Sequence, residues 1–302
     1  MQLLSLPVTV VAFAFLLEVA VAEFPERVHP VALFGWIVGR FDRSWKRPKL
    51  VGGVLTLVLP LFAAGVVAVV TAVAFNLSPV AGVVVAGLAL FGTVSLRMLL
   101  ETANEVIVLS DEDIDASRSA VMALVGRDAA SLSAAEIRSA AVESAAENLS
   151  DGLVAPLLAF AIGAQLSVTV GVAAAAYVKA VNTMDSMLGY HSKPLGKASA
   201  RLDDLVMWLP ARVSAGLLVL AARDPGGLWR ARSWTKEPAS PNSGWPMAAL
   251  AAVGDVRLSK PGAYTLNPAA DLPTVSRAHS CTRIVGVAGV AAFAATGVIV
   301  WV

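Results

Sequence analysis

A stretch without any charged side chain, from Leu50 to Leu96, constrains the fold of this chain more than any other feature of its sequence. A helix needs about 20 apolar residues to cross the hydrocarbon core of a bilayer, so the stretch has room for two such helices. Asn76-Leu-Ser-Pro79 lies near its middle and is typical of a turn. The stretch therefore predicts a helical hairpin in a membrane, with spans at about 51–75 and 80–100.

The composition also indicates an integral membrane protein. Hydrophobic residues make up 57% of the 302 residues and charged residues only 15%, whereas soluble domains carry about 25% charged residues. Apolar segments at about 3–22 and 284–302 predict a first and a last span. The first is expected to be a retained helix, because it lacks the basic residues and the cleavage site of a signal peptide. The predicted fold class is all-α, a polytopic helical membrane protein with a single domain over residues 1–302.

Several classes of function are excluded by composition and by missing motifs. The net charge of +1 gives no case for nucleic-acid binding. The single cysteine, Cys281, excludes an internal disulfide framework and a cysteine-rich metal site. Neither a P-loop nor a Rossmann glycine motif occurs, so any use of ATP needs another kind of phosphate site.

Basic residues between the first two spans indicate the orientation of the chain. They are Arg27, Arg40, Arg43, Lys46, Arg47 and Lys49. Because basic residues accumulate in cytoplasmic loops, this loop is expected in the cytoplasm and the protein in the cell membrane. The polar region 101–152, which follows the third span, is then predicted to face the cytoplasm as well.

Two capping-box patterns predict short helices within this polar region. Ser110-Asp-Glu-Asp113 predicts a helix from there to Val125, and Ser133-Ala-Ala-Glu136 predicts a second one to about Ser150. The later segment 223–283 is rich in proline, glycine and tryptophan and is predicted to be irregular.

Three carboxylates in the second of these helices follow one another at helical spacing. Glu143, Glu147 and Asp151 lie four residues apart, which places them within about 80° on one helix face. Like charges at this spacing repel each other, and a Mg²⁺ ion arriving with phosphate would compensate them through oxygen ligands. The alternative is a solvated helix face with Arg138 as neighbour, and spacing alone leaves both open.

A second polar block, Asn182-Thr-Met-Asp185-Ser-Met-Leu-Gly-Tyr190, follows a long uncharged apolar segment. Its Asn182 and Asp185 share one helix face, although a helix cap near the membrane surface is an alternative. This block reaches the same side of the membrane as the first only if residues 153–178 turn back. Gly163-Ala-Gln165 offers such a turn, giving a re-entrant or interfacial hairpin.

Further charged residues flank the second block. Arg201-Leu-Asp203-Asp204 adds two adjacent carboxylates, of which at most one points into the same site, since neighbours on a helix diverge by about 100°. Segment 205–222 is interrupted by a proline and an arginine and allows either a crossing or a re-entrant helix. Glu18, inside the first span, is a functional candidate because an ionisable group is costly there; the alternative is that it lies near the end of the span, since Glu23 follows. Five cations around the second block are candidates for binding anionic substrates, although lysines at a membrane boundary often only extend to its surface: Lys179, Lys193, Lys197, Arg201 and Arg212.

Several of these blocks, in this order, resemble the hallmark motifs of one family. They are Glu143 to Pro156, Asn182 to Tyr190, Ala200 to Arg212 and Ser240 to Pro246, with His29-Pro30-Val31 and Val125-Gly126-Arg127-Asp128 in addition. On these residues the chain resembles the adenosylcobinamide-phosphate synthases (CbiB/CobD) of cobalamin biosynthesis, over roughly residues 10–255. It departs from them at Glu18 and Glu23, where the family more often has aspartate, and over residues 257–280.

The resemblance implies an integral membrane enzyme that joins a propionate of adenosylcobyric acid to (R)-1-amino-2-propanol or its O-phosphate. ATP would drive the reaction, because a carboxylate must be activated before an amine can replace its oxygen, and Mg²⁺ would neutralise the phosphates. On this interpretation Glu147, Asp185 and Asp203 are catalytic candidates, and Glu143, Glu147, Asp151 and Asp185 are candidate metal ligands. The candidate cofactor-binding residues are Glu143, Asn148, Asp151, Asn182, Lys179, Arg201 and Arg212.

Two other classes of function stay open. A transporter would use the intramembrane acids as ion relays, but it would favour two related halves with broken helices, which the sequence does not show. A membrane sensor of the AmpE type on the same scaffold would not need all the acidic motifs. The expected partners of a ligase are the corrinoid and amine substrates, the lipid bilayer and other cobalamin-pathway enzymes, with the oligomeric state open. If both acids belong to one metal–phosphate site of such a ligase, Asp185 is expected within about 10 Å of Glu147.

Overall fold

The computed structural model describes residues 6–125, 130–189 and 193–301. The structure is 76% helical with almost no strands, which confirms the all-α fold class. The helices are α1 (Leu6–Val21), α2 (Pro30–Gly39), α3 (Pro48–Leu77), α4 (Pro79–Phe91), α5 (Arg97–Glu112), α6 (Ile114–Val125), α7 (Ala134–Leu149), α8 (Ala155–Ala164), α9 (Val168–Leu188), α10 (Lys197–Val206), α11 (Trp208–Ala221), α12 (Gly227–Ala231), α13 (Gly244–Gly254) and α14 (Val275–Ile299). A short hairpin, β1 (Leu258–Lys260) and β2 (Tyr264–Leu266), precedes the last helix.

Among the described residues, three helical segments are long and apolar enough to cross a membrane. They are Pro48–Leu77, Ala134–Ala164 and Val275–Ile299, and the bent pair Pro194–Val206 and Trp208–Ala221 makes a fourth if it counts as one span. Helices α1 and α4 are apolar but shorter. These lengths and compositions are those of a membrane protein.

The described chain divides into two compact units. The first takes Met1–Ser95, Asp151–Met207 and Phe293–Val302, and the second takes Leu96–Ser150 and Trp208–Ala292. The first unit therefore contains α1 to α4 and α8 to α10, and the second contains α5 to α7, α11 to α13 and the strand hairpin.

In the first unit, α3 and α4 form the predicted hairpin. Ser78 caps α4 by accepting a hydrogen bond from the Ala81 backbone N–H at 3.0 Å, within the predicted turn. The helix predicted at 80–100 is shorter in the structure, because α4 ends at Phe91 and α5 begins at Arg97. The Thr93 hydroxyl donates to the Leu90 carbonyl at 2.7 Å, a local bond that competes with continuation of the helix.

The segment 153–178 turns back, and the turn determines which residues meet at the site. Helix α8 ends at Ala164, and α9 begins at Val168 after a cap in which Ser167 Oγ accepts from the Val170 N–H at 3.1 Å. A Cβ on Gly171 would lie 3.0 Å from the Phe160 ring, so α8 and α9 pack closely on each other. The hairpin returns the end of α9 to the region of the residues that precede α8.

In the second unit, one of the two predicted helix caps is present, and the prediction of the other is wrong. Ser133 caps α7, and the Ser133 backbone N–H donates in return to Glu136 Oε2 at 2.8 Å. Ser110, however, lies in the last turn of α5, where its hydroxyl donates to the Ile107 carbonyl. Asp113 caps α6 instead, accepting from the Ala116 N–H at 3.0 Å. Gly126, the first residue after α6, lies outside the described residues.

The prediction that 223–283 is irregular is also wrong, because the segment contains α12, α13, both strands and the start of α14. Its glycines allow close packing: a Cβ on Gly244 would lie 2.1 Å from the Thr235 carbonyl oxygen. The strands pair Leu258 with Leu266 around a turn in which Gly262 has a φ of 74°, a conformation that favours glycine.

Candidate functional site

Three aspartates of the first unit form an acidic cluster. Asp151 lies in a π-helical turn before α8, Asp185 lies near the end of α9, and Asp203 lies on α10. Asp203 interacts electrostatically with both other carboxylates and accepts a hydrogen bond from the Asn182 side chain. The structure thus brings together four of the residues that the sequence proposed for the site.

Burial of these carboxylates costs folding free energy as long as neither a cation nor a proton is bound among them. Asp203 is only 9% exposed, and within the described part of the chain its buried Oδ1 has no hydrogen-bond partner. Carboxylates repel each other more strongly where water is excluded. A cation or a proton is therefore needed among them.

The cluster fits a metal that arrives with phosphate. Across residues 6–125, 130–189 and 193–301, no group of three or more histidine, cysteine, aspartate or glutamate side chains is arranged to hold a metal ion by itself. Mg²⁺ usually takes only one or two carboxylates and completes its shell with substrate phosphates and water. Asp203 Oδ1, together with Asp151 or Asp185, matches that smaller donor set.

Glycine residues shape the cluster. A Cβ on Gly189 would lie 1.8 Å from Asp185 Oδ1, so the carboxylate lies directly against the glycine that follows it by one helical turn. A Cβ on Gly196 would lie 1.7 Å from the Leu188 carbonyl oxygen, which brings the start of α10 against the end of α9. Tyr190, the last residue of the same sequence block, lies outside the described residues.

Lys179 supplies positive charge beside the aspartates. It lies on α9, is partly buried, and interacts electrostatically with Asp151 and Glu23. A cavity next to it is lined mainly by apolar side chains, among them Phe34 and Ala180. An ammonium group in such surroundings is suited to bind a phosphate or carboxylate.

The sequence offered no role for Glu23 and His29, which the structure places together. His29 caps α2, since its Nδ1 accepts from the Val31 N–H at 3.1 Å. Its Nε2 lies 3.1 Å from Glu23 Oε1. Burial lowers the pKa of His29 against the opposing effect of Glu23, and Lys179 adds to the lowering. The signal in the sequence was a histidine just before a proline at the start of an apolar helix.

Glu143, the first of the three acids on the predicted face, lies in the second unit and is buried. Its Oε1 accepts from the Ser139 hydroxyl at 2.9 Å and its Oε2 accepts from the Tyr264 hydroxyl at 2.7 Å. Ser139 Oγ also accepts from the Ser259 N–H at 2.8 Å. These bonds tie α7 to the strand hairpin, and the expected role of Glu143 as a metal ligand stays a prediction. Tyr264 was not singled out from the sequence, although Pro261-Gly262 between two short apolar–polar stretches is typical of a hairpin.

The next two candidates also belong to the second unit. Glu147 is partly buried, while Asn148 is exposed and donates from its amide to the Ser144 carbonyl at 3.0 Å. Asp185 belongs to the first unit. Its predicted distance from Glu147 stays a prediction.

The two candidate arginines differ in their surroundings. Arg201 is exposed, and two residues along α10 place it on nearly the opposite face from Asp203. Arg212 donates to Asn242 Oδ1 at 2.8 Å, and its guanidinium stacks 4.5 Å from the Trp208 ring and 5.1 Å from the Trp245 ring. Two sequence blocks that are far apart in the chain therefore meet at Arg212.

Comparison with known proteins identifies relatives over most of the chain. The model of the CobD/Cbib protein family matches residues 11–287. A probable cobalamin biosynthesis protein CobD of Methanothrix thermoacetophila is 34% identical over 294 residues, which cover 93% of this chain and 92% of the relative. The cobalamin biosynthesis protein CobD of Klebsiella pneumoniae is 36% identical over 267 residues, which cover 83% of this chain and 82% of the relative.

A relative from Mycobacterium tuberculosis, also named cobalamin biosynthesis protein CobD, is 36% identical over 258 residues. The match covers 82% of this chain and 79% of the relative. No solved structure matches the chain.

Proposed function

The chain belongs to the CobD/CbiB family, and from this premise we propose that it is a membrane-bound, ATP-dependent ligase of cobalamin biosynthesis. It forms an amide between a propionate of adenosylcobyric acid and (R)-1-amino-2-propanol or its O-phosphate. The names of the relatives support the pathway. The acidic cluster around the buried Asp203 is the observation that supports the chemistry.

On this proposal the aspartates of the cluster would hold Mg²⁺ when it arrives with the phosphates of ATP. When bound, ATP supplies the phosphoryl group that activates the carboxylate, and Mg²⁺ neutralises its charge. Asp151, Asp185 and Asp203 would provide oxygen ligands for it, and Asn182 orients Asp203 by its hydrogen bond. Each group is in place before substrate binds, which lowers the cost of reorganisation during the reaction.

Lys179 holds an anionic oxygen of a substrate in the same site. Its apolar surroundings strengthen that contact and keep water from an activated carboxyl group. Glu147 remains proposed for catalysis, because its side chain is partly exposed and so available to a substrate. Asn148 and Arg201 are exposed as well, which suits contacts to the nucleotide or corrinoid at the surface.

We place the reaction on the cytoplasmic side of the cell membrane. The basic loop between α2 and α3 carries Asp42, whose carboxylate accepts from the Lys193 ammonium at 2.7 Å. Lys193 lies between α9 and α10, close in the chain to the acidic cluster. Since basic loops face the cytoplasm, this ion pair supports a site on that side, where ATP is available.

Product analysis tests the proposal. Purified protein is incubated with ATP, Mg²⁺, adenosylcobyric acid and the amine or its phosphate, and the amide is measured by mass spectrometry. We expect the amide to form only with ATP, and not with the Glu147→Gln or Asp185→Asn protein folded in the membrane. Transport of a corrinoid into vesicles without ATP, with no amide formed, would support a transporter and overturn the proposal.

A further inference from the structure

Glu23 and His29 form a polar pair that the mechanism above does not use. Both lie in the segment between α1 and α2, in the same unit as the acidic cluster. His29 Nε2 lies 3.1 Å from Glu23 Oε1, and their side chains are 14% and 33% exposed. A partly buried hydrogen-bonded pair is more rigid than an exposed ion pair, because fewer water molecules compete for its atoms.

The cap of α2 determines the proton position on His29. Nδ1 accepts the Val31 N–H, so it carries no proton, and the proton of the neutral ring is on Nε2. Nε2–H therefore donates to Glu23 Oε1. A second proton would turn Nδ1 into a donor facing another donor and break the cap. His29 thus acts as a fixed neutral donor that orients the Glu23 carboxylate.

Glu23 in turn interacts with Lys179. The ammonium of Lys179 interacts electrostatically with Asp151 and with Glu23, and Lys179 also lies within electrostatic range of His29. A neutral His29 adds no charge that would repel the ammonium. Lysine has a flexible four-carbon stem, so carboxylates on two separate segments restrict where its charge lies.

We propose that Glu23 is a positioning residue that holds the Lys179 ammonium at the edge of the acidic cluster, and that His29 fixes Glu23 for this task. The positioned ammonium binds an anionic oxygen of a substrate, and we take this oxygen to belong to a phosphate of ATP. This second part rests on the proposed function. The first part concerns the protein alone and can be tested without substrate.

Two variants separate the roles of the pair. Glu23→Gln removes the carboxylate charge and leaves the cap of α2 in place. His29→Ser keeps a strong helix cap, but serine is too short to reach Glu23. Asp42→Asn is the matched control, because it removes the carboxylate partner of a different lysine, Lys193.

The first measurement is labelling of lysines in the folded protein with an amine-selective succinimidyl ester, followed by peptide mass spectrometry. In Glu23→Gln and His29→Ser we expect labelling of Lys179 to rise about threefold, the size expected for loss of one partly exposed ion pair. Lys193 labelling stays unchanged in these variants and rises only in Asp42→Asn. Unchanged Lys179 labelling in Glu23→Gln overturns the positioning role, whatever the behaviour of His29→Ser.

The second measurement is steady-state kinetics of amide formation. Loss of a contact made equally in the ground and transition states raises KM and leaves kcat unchanged, so we expect the KM for ATP to rise about tenfold in Glu23→Gln, with kcat within about twofold. Glu23→Asp should recover part of the loss, which a purely structural defect would not predict. An unchanged KM together with altered Lys179 labelling would overturn the ATP contact. If wild-type protein forms no amide, the proposed function fails, while the labelling still decides the positioning of Lys179.

Discussion

At Asp203, one carboxylate combines burial with three negative neighbours, Asp151, Asp185 and Asp204, and accepts a hydrogen bond from the neutral side chain of Asn182. Such a combination lowers stability unless a bound cation or a proton offsets it. On the proposed function, the negative charge of this cluster is balanced when Mg²⁺ and its substrate bind.

Asp203→Asn tests that reading at the residue itself. The amide has nearly the same shape and no charge, so we expect unfolding temperature to stay the same or rise, while amide formation falls about 100-fold or more. Asp204→Asn is the control, because the neighbouring side chain points about 100° away on α10. Equal losses in the two variants, measured by thermal unfolding and turnover, would argue against a specific role for Asp203.

Gly189→Ala tests the shape of the cluster. The new Cβ would fall 1.8 Å from Asp185 Oδ1, so the carboxylate must move, and we expect turnover to fall about 10- to 100-fold. Gly65→Ala is the control, because a Cβ there meets nothing within 4 Å and alanine favours a helix more than glycine does. Wild-type turnover in Gly189→Ala would contradict the observed position of Asp185.

At the scale of elements, hydrogen bonds from the strand hairpin stabilise the position of α7. Tyr264→Phe removes the hydroxyl that donates to the buried Glu143 and leaves an acceptor oxygen without that donor. We expect the unfolding free energy to fall by about 1–3 kcal/mol, with kcat close to wild type. A loss of kcat without a loss of stability would show that the pair belongs to the chemistry and not to the scaffold.

Elements that depend on local signals could be predicted from the sequence. The turn before Pro79, the Ser133 cap and the reversal after Gly163 each depend on a few neighbouring residues. Elements that depend on tertiary contacts could not. Ser110 has the pattern of a cap, yet it lies inside α5. The segment 223–283 forms helices and strands, and its glycines allow close contacts such as that of Gly244 with the Thr235 backbone.

The candidate site, like the fold, could be predicted from the sequence only in part. Asp151, Asn182, Asp185 and Asp203 come together as the sequence suggested, since the turn between α8 and α9 was visible in it. Glu143 was expected to bind metal but is hydrogen-bonded to Ser139 and Tyr264. Helical spacing gives the face on which a side chain lies, but not the partner that another segment brings to it.

At the scale of the whole molecule, the basic loop and the turn at the other end of α3 define the orientation in the membrane. In a Cys281→Ala background, Ser44→Cys and Asn76→Cys place single thiols at exposed positions, the first just before the 30-residue helix α3 and the second in its last turn. In sealed cells we expect a membrane-impermeant maleimide to label Asn76→Cys, and to label Ser44→Cys only after permeabilisation. The reverse pattern would place the acidic cluster on the outside.

The central claim is that ATP activates a carboxylate of the corrinoid for amide formation, and an oxygen-isotope experiment tests it most directly. Adenosylcobyric acid labelled with ¹⁸O in the reacting carboxylate is incubated with the protein, ATP, Mg²⁺ and the amine. The carboxylate oxygen attacks the terminal phosphorus, and the amine later displaces that oxygen together with the phosphate. We therefore predict one ¹⁸O atom in inorganic phosphate for each amide formed. Amide that forms without transfer of the label to phosphate, or no amide at all, would contradict the account.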